Sequence, residues 1–199
     1  MSQSIPIISI VIPVFNDRHF LKDLLNRLIS SVNEKIEVVI IDSSEDSEDF
    51  NISQFVTKNN QISFIYLRIP PSYAGKSLNL GVRKSSGKFI GFLDTKTFPA
   101  EDWPFSNIKK INDKNLDILF GLTVYKAESK YQKILKATSY GSVGHESVPG
   151  TVVSRKSFNK NKGFVDETER VSRSGWSVPM NRVVFREVYG LGCDVSADG

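Results

Sequence analysis

The sequence predicts an α/β fold built on a mostly parallel β-sheet with helices on both faces. Two observations lead to this prediction. Strand-like and helix-like segments alternate along residues 7–94, which is typical of such a sheet. The strand-like segments are nearly continuous apolar runs, as expected for parallel strands that are covered on both sides. The length of 199 residues suits one domain with a full-sized core, and 40% hydrophobic and 24% charged residues indicate a soluble globular protein.

Four apolar segments are predicted to be the strands of the amino-terminal half. They comprise residues 7–15, 36–42, 61–68 and 88–94. Apolar side chains at helical spacing over 20–28 predict a first helix, which Asn16 or Asp17 is expected to cap. A weaker second helix contains Phe55, and a short third helix is predicted over 77–87.

The pattern is weaker after residue 100. A strand is predicted over 117–125, a helix around 131–138, and a strand that leads into a helix over 147–158. A polar loop over 163–176 follows. The last ten residues show neither pattern, and the chain is expected to be cut from something longer.

Charge and cysteine content bear on partners and compartment. The net charge of +4 is compatible with an anionic ligand or a membrane surface, and no nucleic-acid partner is expected. No apolar run approaches the roughly 20 residues that span a bilayer, and no signal peptide is recognised. Cys193 is the single cysteine, which favours a reducing compartment. The predicted location is the cytoplasm, with the cytoplasmic face of the membrane as an alternative.

The ends of three predicted strands carry polar or aromatic residues. These ends read PVFN, DSS and DTK, and they include Phe15, Asp42 and Asp94. In open parallel sheets, ligands bind outside the carboxyl ends of the strands. The sequence therefore predicts one ligand pocket at this edge, formed by Phe15, Asp42, Ser43 and Asp94.

Three segments resemble the family 2 glycosyltransferases of the GT-A fold. They are ISIVIPVFND, IEVVIIDSSEDS and GKSLNLGVRKSSGKFIGFLDTKTFP, and the later HESVPGTVVSRKSFNKNKGFVDE resembles the acceptor-side half of the same family. The resemblance covers roughly residues 7–170. It implies a single GT-A-like, Rossmann-type domain over 1–199, with a nucleotide-binding half (1–99) and an acceptor-side half (100–199). It also implies transfer of a sugar from a nucleotide-diphosphate donor to a hydroxyl of a saccharide or lipid-linked acceptor, with peripheral membrane contact as an option.

The resemblance suggests which residues contact the nucleotide. Phe15 stands where the family has an aromatic near the base, with Pro13 and Asn16 beside it. Asp42 stands where a carboxylate contacts the base or ribose. Ser43 replaces a second acid that contacts uracil, so the base contact would come from Ser43 or from elsewhere, and uridine specificity is not implied. Further nucleotide contacts are predicted for two residues of the third helix region, Lys76 and Asn79.

The fourth strand departs from the family pattern. The family has Asp-any-Asp, whose last aspartate binds a divalent metal, whereas this chain reads Asp94-Thr95-Lys96. The family implies Mg²⁺ or Mn²⁺, but only Asp94 remains as a metal ligand. An ammonium group binds phosphate as a point charge, so Lys96 is predicted to contact the diphosphate.

A second departure concerns the catalytic base. Trp176 and Ser177 stand where the family has acidic residues. An inverting transfer needs a base for the acceptor hydroxyl, and the candidates are Asp94 and a group of acids in the polar loop. These acids are Asp166, Glu167 and Glu169.

Other interpretations of these residues stay open. Phe15 could be a core residue, Asp42 could cap a turn, Lys96 could be solvated, and the loop acids could be ordinary surface charges. A non-catalytic relative that binds a nucleotide or a glycan is the alternative function. A nucleotide-binding domain with other chemistry is a third, although a dinucleotide fold lacks its G-x-G-x-x-G motif here.

Overall fold

A computed structural model describes residues 5–164, apart from 47, 49, 57, 124–129, 131, 132, 135–144 and 162. The strands are β1 Ile8–Val14, β2 Ile36–Asp42, β3 Ile62–Arg68, β4 Phe89–Phe92, β5 Ile118–Thr123 and β6 His145–Ser154. The helices are α1 Arg18–Ser31, α2 Ser53–Val56, α3 Ala74–Lys84, α4 Phe105–Asp113 and α5 Arg155–Lys160. The predicted α/β class with a mostly parallel sheet is confirmed.

The strands form one sheet in the order β3-β2-β1-β4-β6-β5. The first four strands are parallel, and β6 runs antiparallel to both β4 and β5. Strand β1 therefore lies between β2 and β4, and Val14 at its end is in register with Asp42 at the end of β2. The carboxyl ends of β1, β2 and β4 open on the same edge of the sheet, as the sequence predicts.

The core is densest around β1 and β2. Every residue of β2 is buried, and so is every residue of β1 except Pro13. Helix α3 packs closely on this part of the sheet, since a Cβ at Gly81 would lie 2.3 Å from Cγ1 of Val11. Glycine at this position permits the close approach, and it fixes the first turn of α3 near the carboxyl edge of the sheet.

Some boundaries differ from the sequence prediction. Helix α3 begins at Ala74 rather than at residue 77, and it ends at Lys84 rather than at Gly87. Arg155 donates to the oxygens of Val82, Ser85 and Gly87, which satisfies this helix end without a glycine cap.

The second half of the chain contains elements that the sequence predicts only in part. Helix α4 was not predicted, because its apolar positions are sparse and its buried face includes the polar Asn107. Of the helix predicted around 131–138, residues 133 and 134 are helical, and the rest lies outside the described residues. Within the described part of the chain, no helix has the length and apolar character needed to cross a membrane.

Candidate active site

A cleft of about 610 Å³ lies at the carboxyl edge of the sheet. Its lining comes from the ends of β1, β2 and β4 and from the loop that leads into α3. The lining residues are Pro13, Val14, Phe15, Asp17, Ser43, Pro71, Ser72, Tyr73, Ala74, Ser77, Asp94 and Thr95. Strand ends that are far apart in the sequence thus form one concave surface, which is where an open parallel sheet binds its ligands.

Two aromatic side chains of the cleft are exposed. Phe15 follows β1 and is 48% exposed, and Tyr73 immediately precedes α3 and is 55% exposed. Residues of the hydrophobic core do not usually expose large rings in a cleft. Exposed flat apolar surfaces bind planar ligands well. The core interpretation of Phe15 is therefore not supported by its position.

The loop after β1 is held to the loop after β2 by Asn16. Its backbone N–H donates to Oγ of Ser44 at 2.9 Å, and its Oδ1 accepts from the N–H of Glu45 at 3.1 Å. Asn16 has a φ of 57°, a conformation that asparagine tolerates better than most residues. Asn16 does not line the cleft but holds together the two loops that do.

Asp42 was predicted to form part of the pocket, but it is fully buried and is not among the residues that line the cleft. Its Oδ2 accepts from Nε of Arg18 at 2.5 Å and from the hydroxyl of Tyr66 at 2.6 Å. Its Oδ1 accepts from the N–H of Ser44 at 2.9 Å. Arg18 also pairs with Asp46. Both oxygens of Asp42 are therefore engaged by groups of the protein itself.

The surroundings of Asp42 decide its charge. Burial opposes ionisation, but the hydrogen bonds from Arg18, Ser44 and Tyr66 outweigh it and hold the pKa of Asp42 below its ordinary value. Burial and the hydrogen bond to Asp42 raise the pKa of Tyr66. Burial lowers the pKa of Arg18, but hydrogen bonds to Asp42 and Asp46 reverse this and raise it above its ordinary value. The cluster is thus an ion pair with a neutral phenol.

Asp94 lies in the cleft, two residues beyond the end of β4. Its Oδ1 accepts from the N–H of Lys96 at 3.0 Å and from Oγ1 of Thr97 at 2.6 Å. These bonds form a turn in which one carboxylate oxygen is used locally. Among the described residues, no hydrogen bond to Oδ2 is found, so this oxygen can accept from a ligand.

Lys96 forms an ion pair that the sequence does not predict. Its Nζ lies 3.0 Å from Oδ2 of Asp17 and 5.3 Å from the ring centroid of Phe20. Asp17 is the residue before α1, yet its side chain makes no capping hydrogen bond. The predicted cap is therefore absent, because the carboxylate of Asp17 is directed to Lys96 instead.

The other residues predicted to belong to the site do not all lie in the cleft. Pro13 and Ser43 line the cleft, whereas Lys76 is an exposed residue in the first turn of α3. Asn79 is buried and exchanges two hydrogen bonds with the backbone of Phe164, at 2.8 and 2.9 Å, which connects α3 to the acceptor-side half. The three acids of the polar loop and the pair Trp176 and Ser177 lie outside the described residues. The nucleotide contacts predicted for the residues of this paragraph and the catalytic role predicted for the loop acids stay predictions, as do the contacts predicted for Asn16 and Asp42.

Two cleft residues were not found from the sequence. Tyr73 lies in PPSYAGK, an irregular segment before a helix, and its ring could have been noticed as an aromatic at a strand-to-helix turn. Asp17 was considered only as a helix cap. Its pairing with Lys96 joins residues 79 positions apart and has no local sequence signal.

Comparison with known proteins identifies the family. The family model described as Glycosyl transferase family 2 matches residues 9–188 of this chain. The chain belongs to glycosyl transferase family 2. Its relatives include the glycosyltransferase AglE of Haloferax volcanii, 25% identical over 162 residues, and an uncharacterized glycosyltransferase of Rickettsia bellii, 25% identical over 145 residues. The alignments cover 76% and 71% of this chain, but only 53% and 20% of those proteins.

Solved structures with the same fold are also found. Residues 1–349 of S. aureus TarS in complex with UDP-GlcNAc have a TM-score of 0.60 at 18% identity, over 83% of this chain and 50% of that fragment. The mannosyltransferase PcManGT from Pyrobaculum calidifontis, in complex with GDP-Man and Mn²⁺, has a TM-score of 0.60 at 15% identity, over 82% and 48%. These likenesses confirm the GT-A-like fold for this family 2 domain.

Proposed function

We propose that this family 2 domain binds a nucleotide-diphosphate sugar in the cleft and transfers the sugar, with inversion, to an acceptor hydroxyl. The observation that carries the proposal is the cleft itself. Its volume of about 610 Å³ lies within the range of roughly 300–1,000 Å³ typical of small-molecule sites. It also combines exposed aromatic rings, serines, two carboxylates and a helix N-terminus on one edge of the sheet.

The aromatic side of the cleft suits a nucleobase. Phe15 and Tyr73 expose their rings there, and Ser43 lies beside them with its hydroxyl 3.2 Å from the carbonyl oxygen of Val14. Stacking on aromatic side chains contributes about 1–3 kcal/mol per base and tolerates different bases. Ser43 offers a hydroxyl rather than a carboxylate for the base edge, so we do not assign uracil over other bases.

The start of helix α3, which directly follows Tyr73 in the cleft, suits a diphosphate. Helix α3 begins here, and no side chain caps it, since Tyr73 makes no capping hydrogen bond. The first amides of an uncapped helix point outward and carry partial positive charge, which favours a phosphate. Lys76 adds an exposed ammonium group in the same turn.

The proposed reaction is a single displacement at the anomeric carbon. The acceptor oxygen forms a bond to this carbon while the bond to the diphosphate oxygen breaks. The acceptor proton moves to a carboxylate, and the diphosphate leaves with the bonding electrons. Asp94 has Oδ2 available in the cleft for a donor or acceptor hydroxyl, and Asp166, Glu167 and Glu169 are the other candidates for the base.

The described residues of the cleft do not form a ready site for a divalent cation. Among them, two carboxylates line the cleft, Asp17 and Asp94. Asp17 is paired with Lys96, and one oxygen of Asp94 is bound within its own turn. In the same part of the chain, no group of three or more His, Cys, Asp or Glu side chains could hold a metal ion. No step above is assigned to a metal.

The proposal is tested by donor turnover. A panel of nucleotide sugars is incubated with the protein and with saccharide or lipid-linked acceptors, and released nucleoside diphosphate is measured. Phe15→Ala and Tyr73→Ala should each weaken nucleotide binding about 5- to 150-fold, the equivalent of roughly 1–3 kcal/mol. Val56→Ala is the matched control, because Val56 is 48% exposed on α2 and does not line the cleft.

The outcomes separate catalysis from binding. Release of nucleoside diphosphate that depends on Phe15 and Tyr73, but not on Val56, would support the proposal. Binding with no release for any donor and acceptor would leave a non-catalytic nucleotide-binding protein. Binding that both aromatic variants leave unchanged would show that the cleft is not the nucleotide site.

A further inference from the structure

Asp17, the residue before α1, lines the cleft, and Lys96 pairs with it from just outside the lining. The Oδ2 atom of Asp17 is 3.0 Å from Nζ of Lys96. The side chain of Lys96 is 59% exposed, and its ammonium group lies over the face of Phe20. The position of the positive charge is therefore defined by two neighbours, although the side chain remains in contact with solvent.

In such an exposed ion pair, the anionic partner can readily be replaced by another anion. An exposed ion pair contributes little to stability, because water screens it and the long side chain loses freedom. Lys96 can therefore change its anionic partner without loss of fold. Phe20 would still attract the ammonium group through its ring face and keep it near the cleft.

A diphosphate is a stronger partner for this ammonium group than one carboxylate. It carries more negative charge and more acceptor oxygens, and lysine binds phosphate as a compact point charge. A ligand that occupies the cleft lies against Asp17, which is one of its lining residues. It therefore comes close to Nζ of Lys96.

We propose that the diphosphate of a bound nucleotide takes the place of Asp17 as the partner of Lys96. The ammonium group then neutralises the diphosphate in place of a divalent cation. This inference rests on the proposed function, since it concerns the same cleft and the same ligand. It assigns Asp17 as a competitor for Lys96 and predicts nucleotide binding that does not require a metal.

The charges around the cleft favour this arrangement over a metal site. A divalent cation next to Asp17 would have to displace the ammonium group of Lys96, which lies 3.0 Å from this carboxylate. If the ammonium group stayed in place, it would repel the cation. A cation next to Asp94 would share a carboxylate that already accepts two hydrogen bonds on Oδ1. A phosphate meets neither obstacle at Lys96.

The first experiment measures binding of UDP and GDP by calorimetry, in chelator and then in Mn²⁺. The wild type should bind with nearly the same Kd in both conditions. Lys96→Ala should weaken binding in chelator about 10- to 100-fold, which corresponds to one charge-assisted hydrogen bond, and Lys96→Arg should retain most of it.

Lys58 provides the matched control. Its ammonium group also lies over a phenylalanine, 4.9 Å from the ring centroid of Phe55, and it donates to Oδ1 of Asn26. It precedes β3 and is thus on the opposite edge of the sheet from the cleft. Lys58→Ala should leave nucleotide binding unchanged within about twofold.

The second experiment tests whether a substitution at Asp17 tightens or weakens nucleotide binding. If Asp17 competes with the diphosphate for Lys96, Asp17→Asn should tighten nucleotide binding severalfold in chelator, and this gain should vanish in the double variant with Lys96→Ala. Asp23→Asn, at an exposed position of α1, controls for the general loss of one negative charge. If Asp17 were a metal ligand instead, Asp17→Asn would weaken binding, and only in Mn²⁺.

A third variant, Lys96→Asp, removes the ammonium group and adds a carboxylate beside Asp94. It should bind poorly in chelator and recover at least tenfold in Mn²⁺, because a diphosphate site for such an ion uses one or two carboxylates. Conversion from metal-independent to metal-dependent binding would identify Lys96 as the group that replaces the cation.

The outcomes distinguish this inference from the function on which it rests. Wild-type binding that needs Mn²⁺ and is indifferent to Lys96→Ala would overturn the inference and leave the nucleotide site intact. Unchanged or weaker binding by Asp17→Asn in chelator would overturn the exchange of partners. Absence of nucleotide binding in every arm, with folded protein by circular dichroism, would overturn both the function and the inference.

Discussion

Strands β2 and β4 lie on either side of β1, and each leads into an aspartate with a very different environment. Asp42 at the end of β2 is completely buried and accepts hydrogen bonds from Arg18, Tyr66 and Ser44. Asp94 beyond β4 lines the cleft and uses one oxygen in a local turn. Two carboxylates near the ends of neighbouring parallel strands thus have different environments.

The neighbours of each strand explain the difference. Strand β3 is next to β2 and contributes Tyr66, and α1 contributes Arg18 from the other side. Both donors reach Asp42, and a buried carboxylate needs such partners to remain ionised. β4 has no equivalent donor pair among the described residues, so Asp94 remains at the surface of the cleft. A strand-end position alone therefore does not decide whether an aspartate is buried or lines the cleft.

Removal of the Asp42 carboxylate is expected to have the largest effect on stability. Asp42→Ala should lower the free energy of unfolding by about 3–5 kcal/mol, because it leaves Arg18 as a largely buried charge without this partner. Urea denaturation followed by circular dichroism measures this change. Asp94→Asn, which keeps an oxygen for the turn, should change the same quantity by less than about 0.5 kcal/mol. A stable Asp42→Ala protein that fails to bind nucleotide would instead make Asp42 a ligand contact.

For nucleotide-sugar binding, by contrast, the larger effect is expected from a substitution of Asp94. Asp94→Asn should weaken donor binding or slow turnover about 10- to 150-fold, as expected for loss of one hydrogen bond to a charged group of roughly 1.5–3 kcal/mol. Calorimetry with the donor and the release of nucleoside diphosphate measure the two effects. Glu48→Gln, an exposed acid in the loop after β2, controls for the change in net charge. Normal binding and turnover by Asp94→Asn would make Asp94 a structural residue like Asp42.

The smallest effect concerns the ionisation of Asp42 under acid conditions. The pKa of Asp42 in the folded protein lies below its ordinary value of 3.8. Its contribution to stability is therefore fully present above pH 3.8 and is lost as the pH falls through the lower, folded-state pKa. Tyr66→Phe removes one hydrogen bond to this carboxylate, so it should cost about 1–2 kcal/mol at neutral pH and move the acid transition to higher pH.

Urea denaturation between pH 2 and 7 provides the measurement, and Asp94→Asn is the control. An acid transition that Tyr66→Phe leaves in place would show that the phenol does not stabilise the charged form of Asp42.

Much of the fold was predictable because it depends on local pattern. The apolar runs of β1 to β4 and the leucines of α1 have the periods of strands and helices, and alternation of the two implies a parallel sheet. That topology also predicted the convergence of Phe15, Ser43 and Asp94, but it wrongly placed Asp42 in the same cleft. Helix α4 and the early start of α3 at Ala74 were missed, because α4 has few apolar residues and residues 74–76 carry no helix start signal.

The sequence by itself determined the order of the elements up to β4, the edge of the sheet where polar residues gather, and the family, since all three depend on the types and spacing of neighbouring residues. Only the tertiary structure decided which aspartate is buried, that Tyr73 and Phe15 line one cleft, and that Asp17 pairs with Lys96. These features arise where distant segments meet. There, the position of a charge depends on which donors the packing brings within hydrogen-bond distance, and no local pattern records that choice.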